Sequence, residues 1–527
     1  MNNPPGESVD TPEHAPITDR GPPPLKSPIL LMATLCGMAT PIPAAQIPPP
    51  QVDAAPSRDL LARRDAILAR ERARLGELPG PPAEVRREPG PSPDGSTRFV
   101  PLAEVVPALT NGPTNVEAER AKGEAALALF DLGGVAARGN PPRYAFADEC
   151  LRGVIERRPD HAEARRLLGF LPRSGGWATP YAAAQLTMGK VADPTFGWVR
   201  ADWVPHLRRG ELPAPLPSTR WLPAAEADAL RRRWSDRWEI TTEHFVIFTN
   251  VPLSDAISFG RKLEDLHQLF FSIMADVIGA DQLPLAQRSR VATLKPTLSK
   301  KPLHRVYYFA TRDEYAEHLA PIQGAGAKKS LGTYVPKREN QQFGGISYFF
   351  NDVGGQLDVA STLYHEASHQ LLFESAGPDS YERNVGNFWV FEGLGTYFET
   401  LRAEPDGTLR IGGLVGPRIE SARARLIDRQ EFIPTELFVA MSPPQFQGTR
   451  GGGDIYLNYA ESMAMAVFLM QAHEGRYREG FLDYARDAYR GRFRGGSGRP
   501  LDDRIGVRYR DLDREFLDYL GARKSPR

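Results

Sequence analysis

Two histidines and a glutamate lie close together in the segment His365-Glu366-Ala367-Ser368-His369. The segment matches the pattern H-E-x-x-H, and in a helix a spacing of four residues puts both imidazoles on one face, one turn apart. Two ligands of one zinc ion require this geometry. Glu366 is offset by about 100 degrees around the helix, where its carboxylate can take a proton from a water that zinc acidifies. The pattern predicts a zinc site with Glu366 as catalytic base.

A catalytic zinc ion usually has three protein ligands and one open position, so a third ligand must come from another part of the chain. Glu392 is separated from His369 by 22 residues and lies in the aromatic segment NFWVFEGLGTYFE, where a second helix can return to the metal. Glu399 lies seven residues further, on the same helical face, and either accepts a hydrogen bond from a ligand histidine or is a solvated carboxylate. Four other residues stay open as third ligands: Glu374, Asp379, Glu382 and His473.

The segment HEASH followed by FWVFEGLGTYFE resembles the gluzincin zinc peptidases, the group that contains aminopeptidase N and thermolysin. In the aminopeptidase branch the second helix has the form W-x-x-E-G-x-x-x-Y-x-E. The upstream element GGWATP is similar to one found in an uncharacterised bacterial family of this kind. The resemblance implies a zincin-like catalytic domain, one zinc ion and hydrolysis of peptide bonds. This chain matches the second-helix form at Trp389, Glu392, Gly393, Tyr397 and Glu399.

The chain departs from the aminopeptidase branch at three places. The G-A-M-E-N motif that binds the substrate amine has no counterpart, because this chain has GGISYFF before the HEASH segment, and Phe391 replaces a common Asn. Tyr459 in NYAESMAM resembles the Y-x-x-G element whose phenol stabilises the oxyanion, although Ser462 replaces the glycine; Tyr456 and a core role are the alternatives. As an edge strand GGISYFF would pair with an extended substrate, and as an interior strand it would not.

The surrounding patterns predict an α+β fold with a small mixed sheet around the HExxH helix. Short strands are expected in ITTEHFVIFTN, LHRVYYFA and GGISYFF, and the pattern beyond residue 415 is helical. These patterns divide the chain into six parts: a leader at 1–45, a Pro-rich linker with one charged, solvated helix at 46–115, a helical region at 116–190, a connecting segment at 191–237, the zincin-like domain at 238–415 and a helical C-terminal region at 416–527.

Residues 116–170 have the apolar spacing of a helical hairpin. Ala147, Leu151 and Pro159 occupy the small, large and helix-ending positions of a tetratricopeptide-like unit. A repeat array needs about three units, so this region is either a partner-binding element or a small helical domain that packs on the enzyme.

Lys plus Arg and Asp plus Glu both total 65, so no net charge favours binding to nucleic acid.

Residues 27–45 follow Lys26 and combine an apolar run with small residues, which predicts a secretory signal and an exported protein; an uncleaved anchor and a disordered tail are the alternatives. That run is too short to span a bilayer. Cys36 lies within it, which leaves Cys150 without a partner for an internal disulfide.

The sequence therefore predicts a zinc-dependent metallopeptidase that acts on a peptide or protein substrate. The alternative is a catalytically inactive zincin-like scaffold protein whose residues 116–170 recruit a protein partner.

Overall fold

The predicted leader at 1–45 lies outside the part of the chain that the computed structural model describes, as do Asp379 and Glu382. The described residues are 55–77, 94–108, 115–216, 218–279, 283–299, 301–328, 330–339, 342–352, 359–376, 386–449, 453–493 and 496–522.

The charged helix of the predicted linker packs against the helical region. Leu60 is buried, and the carboxylate of Glu71 accepts a hydrogen bond of 2.6 Å from Nη2 of Arg157. This differs from the expected solvated helix, because the ion pair and the apolar contact fix one of its faces. The elements here are α1 (Ala55–Gly76), β1 (Thr97–Phe99), β2 (Val105–Pro107), α2 (Val116–Arg138), α3 (Tyr144–Arg157) and α4 (Ala162–Leu168).

Three consecutive units, each a β-hairpin followed by a short helix, connect these helices to the next region. The GGWATP element contains the turn and second strand of the first hairpin, and Thr179 caps the following helix by accepting from the N–H of Ala182 at 3.2 Å. The segment predicted as a connection contains the second and third units. The elements are β3 (Leu171–Arg173), β4 (Gly176–Ala178), α5 (Pro180–Thr187), β5 (Lys190–Asp193), β6 (Gly197–Arg200), α6 (Val204–Arg208), β7 (Glu211–Pro213), β8 (Trp221–Pro223) and α7 (Ala224–Leu230).

A five-stranded mixed sheet forms the frame of the next region, in the order β12-β13-β11-β10-β9. The two inner pairings of β11 are parallel and the outer two are antiparallel. The elements are β9 (Trp238–Thr241), β10 (Phe245–Thr249), α8 (Leu253–Ile273), α9 (Pro284–Arg290), β11 (His304–Phe309), α10 (Arg312–Gln323), β12 (Thr333–Glu339), β13 (Gln342–Phe350), α11 (Val359–Ala376) and α12 (Trp389–Phe398).

Local sequence patterns account for several of these elements. Thr311 and Glu314 form a capping box that begins α10, and the apolar face of α8 is buried. One strand prediction needs correction, and one pair of alternatives is decided. ITTEHFVIFTN forms two antiparallel strands, β9 and β10, because the chain turns between them. GGISYFF lies in β13, an interior strand, and β12 is the edge of the sheet.

The C-terminal region is helical, as predicted, and packs on α12. The apolar run around Glu461 forms a buried helix. None of the helices in the described part of the chain combines the length and hydropathy of a transmembrane span. The molecule has an α+β fold. The remaining elements are β14 (Arg402–Ala403), β15 (Leu409–Ile411), α13 (Pro417–Ala422), α14 (Thr435–Val439), α15 (Pro443–Phe446), α16 (Ile455–Gly475), α17 (Arg478–Tyr489), α18 (Leu501–Ile505) and α19 (Tyr509–Ala522).

Candidate metal centre

Two adjacent helices bring together the three predicted ligands. Helix α11 presents His365 and His369, whose Nε2 atoms lie 3.0 Å apart. Helix α12 presents Glu392, whose Oε2 lies 3.4 Å from Nε2 of His365 and 3.7 Å from Nε2 of His369. Two ligand atoms at ordinary distances from a tetrahedral zinc ion lie about 3.3 Å from each other. The three atoms therefore have the mutual spacing that one zinc ion requires.

The chemistry of these ligand atoms also fits a cation. Oε2 of Glu392 is buried and has no hydrogen bond that meets ordinary geometry. A buried carboxylate oxygen without a partner carries a substantial desolvation cost, which a cation at this point would offset. Burial would raise the pKa of Glu392, but His365 and His369 beside it hold that pKa well below its usual range. The carboxylate is therefore ionised, as a ligand must be.

A glycine allows the two helices to approach closely at the centre. A Cβ atom on Gly395 would lie 2.9 Å from Cε1 of His365 and 3.0 Å from Nε2 of His369. Contacts this short force neighbouring atoms to move. Gly395 lies one turn after Glu392, so its missing side chain leaves the space that the two imidazoles fill.

We expect Gly395→Ala to disturb the centre, although alanine is the better helix former. The added methyl group should displace the imidazoles and lower kcat/KM about 100-fold, as small misplacements of catalytic groups do. Gly521→Ala is the matched control, because a Cβ at Gly521 in α19 meets no atom within 4 Å. Steady-state kinetics and zinc titration of both variants test this, and equal behaviour of the two would contradict it.

A carboxylate and a guanidinium lie behind His365. Oε1 of Glu399 accepts a hydrogen bond of 2.8 Å from Nδ1 of His365, which is the first of the two alternatives for this carboxylate and leaves Nε2 free to face a metal. Arg418 donates to both oxygens of Glu399, at 2.8 and 3.0 Å. Burial lowers the pKa of His365, but Glu392 and Glu399 outweigh it and raise that pKa to about 10. The surroundings of His365 therefore favour positive charge.

Glu366 lies on the same helix and contacts the edge of the sheet. Its Oε2 accepts a hydrogen bond of 2.9 Å from the backbone N–H of Tyr334 in β12. Burial raises the pKa of Glu366, and the neighbouring His365 and His369 partly offset this rise. The carboxylate is thus held in one orientation beside the two histidines, where a proton acceptor is expected.

Tyr459 lies on the wall that the C-terminal region contributes. Its ring centre is 6.4 Å from that of His365, and Phe446 packs edge-on against it at 5.3 Å. The ring therefore borders the centre, while its role towards an oxyanion stays a prediction. Tyr456, the alternative, is 77% exposed.

Two of the other proposed third ligands contact different groups. Glu374 hydrogen-bonds to Nδ1 of His304 at 2.5 Å and to the hydroxyl of Tyr334 at 3.2 Å. His473 is half-exposed at the end of α16, with Nε2 3.4 Å from Glu515. Within the described ranges, Glu392 is the acidic residue that groups with the histidine pair.

A second group of metal-binding residue types, His244, Glu264 and His267, lies where β10 meets α8. Its two imidazoles are stacked, with ring centres 3.6 Å apart and planes at 16°. Two imidazoles at ordinary distances from one zinc ion would have ring centres about 5 Å apart. The ring centres of His365 and His369 are 4.7 Å apart. Both oxygens of Glu264 also accept hydrogen bonds, from Thr242 and His244. This geometry fits a charged hydrogen-bonded pair better than a metal site.

Sequence reasoning missed three residues of the centre: Gly395, Tyr334 and Arg418. Gly395 had a usable signal, because a second glycine in EGLG marks a close helix contact. Tyr334 and Arg418 had no such signal in the sequence. Tyr334 contributes a backbone N–H, and Arg418 pairs with a carboxylate that its local sequence does not indicate.

Comparison with protein families finds one match, to the family described as a protein of unknown function, DUF1570, over residues 359–490. The matched segment begins at α11 and includes the three candidate ligands, Glu399, Arg418 and Tyr459. The sheet and the N-terminal regions lie outside it. Comparison with curated proteins finds no match.

Proposed function

We propose that this protein is a zinc-dependent metallopeptidase of the gluzincin type. His365, His369 and Glu392 would hold one zinc ion, and Glu366 would be the general base. The observation that carries the proposal is the approach of two Nε2 atoms and one buried carboxylate oxygen to within 4.8 Å of one another.

A bound zinc ion would act as a Lewis acid that polarises the carbonyl of the substrate and acidifies water. Glu366 accepts the proton of the attacking water and delivers it to the nitrogen of the leaving amine, so the base is regenerated when the peptide bond breaks. The N–H of Tyr334 orients the Glu366 carboxylate for both transfers. Glu399 orients His365 through Nδ1.

The position of β12 at the edge of the sheet favours an extended peptide as the substrate. Tyr334 pairs with Ser347 of β13 on one side, while its own N–H points to Glu366 on the other. A peptide that lies along this edge would gain main-chain hydrogen bonds that do not depend on its sequence. Its backbone would then pass beside the base. Of the two alternatives for GGISYFF, its interior position in β13 leaves no edge for an extended substrate to pair with.

The proposal is tested by purifying the protein, measuring bound zinc, and assaying cleavage of casein and of a quenched peptide library. We expect one zinc per chain and cleavage that stops with a chelator and returns when zinc is added. Zinc binding without cleavage would favour the inactive scaffold. The absence of zinc binding would overturn the metal centre itself.

We also expect Tyr459→Phe to lower kcat by about 100-fold while KM and zinc content stay nearly unchanged. A phenol that donates to the developing oxyanion acts mainly in the transition state, so its loss reduces kcat. Tyr456→Phe is the control, because that side chain is 77% exposed. Wild-type kinetics for Tyr459→Phe, or a rise in KM alone, would remove Tyr459 from the mechanism.

A further inference from the structure

Arg418 is the second residue of α13, in the C-terminal region, and reaches back to the centre. Its Nε and Nη2 atoms donate to separate oxygens of Glu399, at 2.8 and 3.0 Å. A planar guanidinium that bonds both oxygens of a carboxylate fixes the plane of that carboxylate as well as its position.

The carboxylate that Arg418 holds is the one that contacts a ligand. Oε1 of Glu399 lies 2.8 Å from Nδ1 of His365. A histidine that binds metal through Nε2 must carry its proton on Nδ1, and a well-placed acceptor selects this tautomer. The side chain of Glu399 is only 7% exposed, so water does little to stabilise its charge or to fix its orientation.

The positive charge of Arg418 also contributes to the charge balance of the centre. With two neutral imidazoles, a bound divalent ion and the carboxylates of Glu366, Glu392 and Glu399 would together carry one excess negative charge. Arg418 balances it. A buried charge that is not balanced carries a large desolvation cost. The guanidinium of Arg418 also lies 5.7 Å from the ring centre of Tyr459, the residue proposed to stabilise the oxyanion.

We propose that Arg418 is a positioning residue of the metal centre. It acts through Glu399, by holding that carboxylate against Nδ1 of His365 and by neutralising the buried site. The inference rests on the proposed function, and it makes the C-terminal region part of the zinc site. The opposing reading is that Arg418 merely ties α13 to the end of α12.

The experiment compares zinc affinity, measured by competition with a chromophoric chelator, in Arg418→Met, Arg418→Lys, Glu399→Gln and the double variant Glu399→Gln/Arg418→Met. We expect Arg418→Met to weaken zinc binding about tenfold and Glu399→Gln by about 10- to 100-fold. Arg418→Lys should recover part of the loss, because lysine keeps the charge without the fork. The double variant should bind zinc no more weakly than Glu399→Gln alone, since Arg418 acts through that carboxylate.

Arg425→Met is the matched control. Arg425 lies seven residues further along and also pairs with carboxylates, Glu431 at 2.5 Å and Asp454 at 2.7 Å, neither of which is at the centre. The Arg425→Met variant should keep the zinc affinity of the wild type even if its thermal stability falls. If Arg418→Met does not fold, Arg418→Lys decides the question.

Wild-type zinc affinity in the Arg418 variants, or a fully additive loss in the double variant, would overturn the inference. The proposed function fails differently, because in that case the unmodified protein would bind no zinc or cleave no peptide.

Discussion

Replacing Glu366 by glutamine is expected to lower kcat by about 10²- to 10⁴-fold while the protein keeps its zinc. The amide has nearly the same size as the carboxylate and can still bond to Tyr334, but it cannot take a proton. Glu366 is not among the three ligands, so the metal affinity should stay close to that of the wild type. The measurement is kcat on a quenched peptide, with zinc content determined on the same preparation.

Glu374→Gln provides a control on the same helix. Glu374 also bonds to Tyr334, whose hydroxyl lies at 3.2 Å, and is likewise half-buried, but it is not one of the grouped ligands. Its replacement should reduce kcat much less than Glu366→Gln does. If the Glu366 variant keeps its activity at full zinc occupancy, Glu366 is not the base.

The second large effect is expected for Glu392→Ala, which should lose at least about 100-fold in zinc affinity and, with it, the hydrolytic activity. The change removes the one ligand oxygen from the group and leaves two histidines on a single helix, too few for a catalytic zinc site. The apoprotein should still fold, because the ion-free helices are held by the apolar core that surrounds them. Zinc titration and circular dichroism measure the two properties separately.

The same titration distinguishes the third ligands that the sequence left open. Glu374→Ala and His473→Ala should retain the zinc affinity of the wild type, because Glu374 bonds to His304 and His473 lies near Glu515. Asp379 and Glu382 lie outside the described residues, and their alanine variants complete the comparison. If one of these changes removes zinc while Glu392→Ala does not, the gluzincin assignment is wrong.

The sequence by itself determined the features that arise within one helix or one turn. The spacing of His365 and His369 follows from the helical repeat, so one helix sufficed to predict that both imidazoles share a face. The capping box at Thr311 and the buried face of α8 are local in the same sense. The second helix with Glu392 was predicted from its resemblance to a known motif, and the structure brings it to the histidines.

Only the tertiary structure decided which segments meet. The pattern of GGISYFF is the same in an edge strand and an interior strand, and the pairing with β12 and β11 makes it interior. Arg418 forms its bonds with Glu399 because α13 folds back on the end of α12. The N–H of Tyr334 reaches Glu366 because β12 is the edge of the sheet. Such contacts depend on strand order and helix packing over long sequence separations, which local periodicity does not encode.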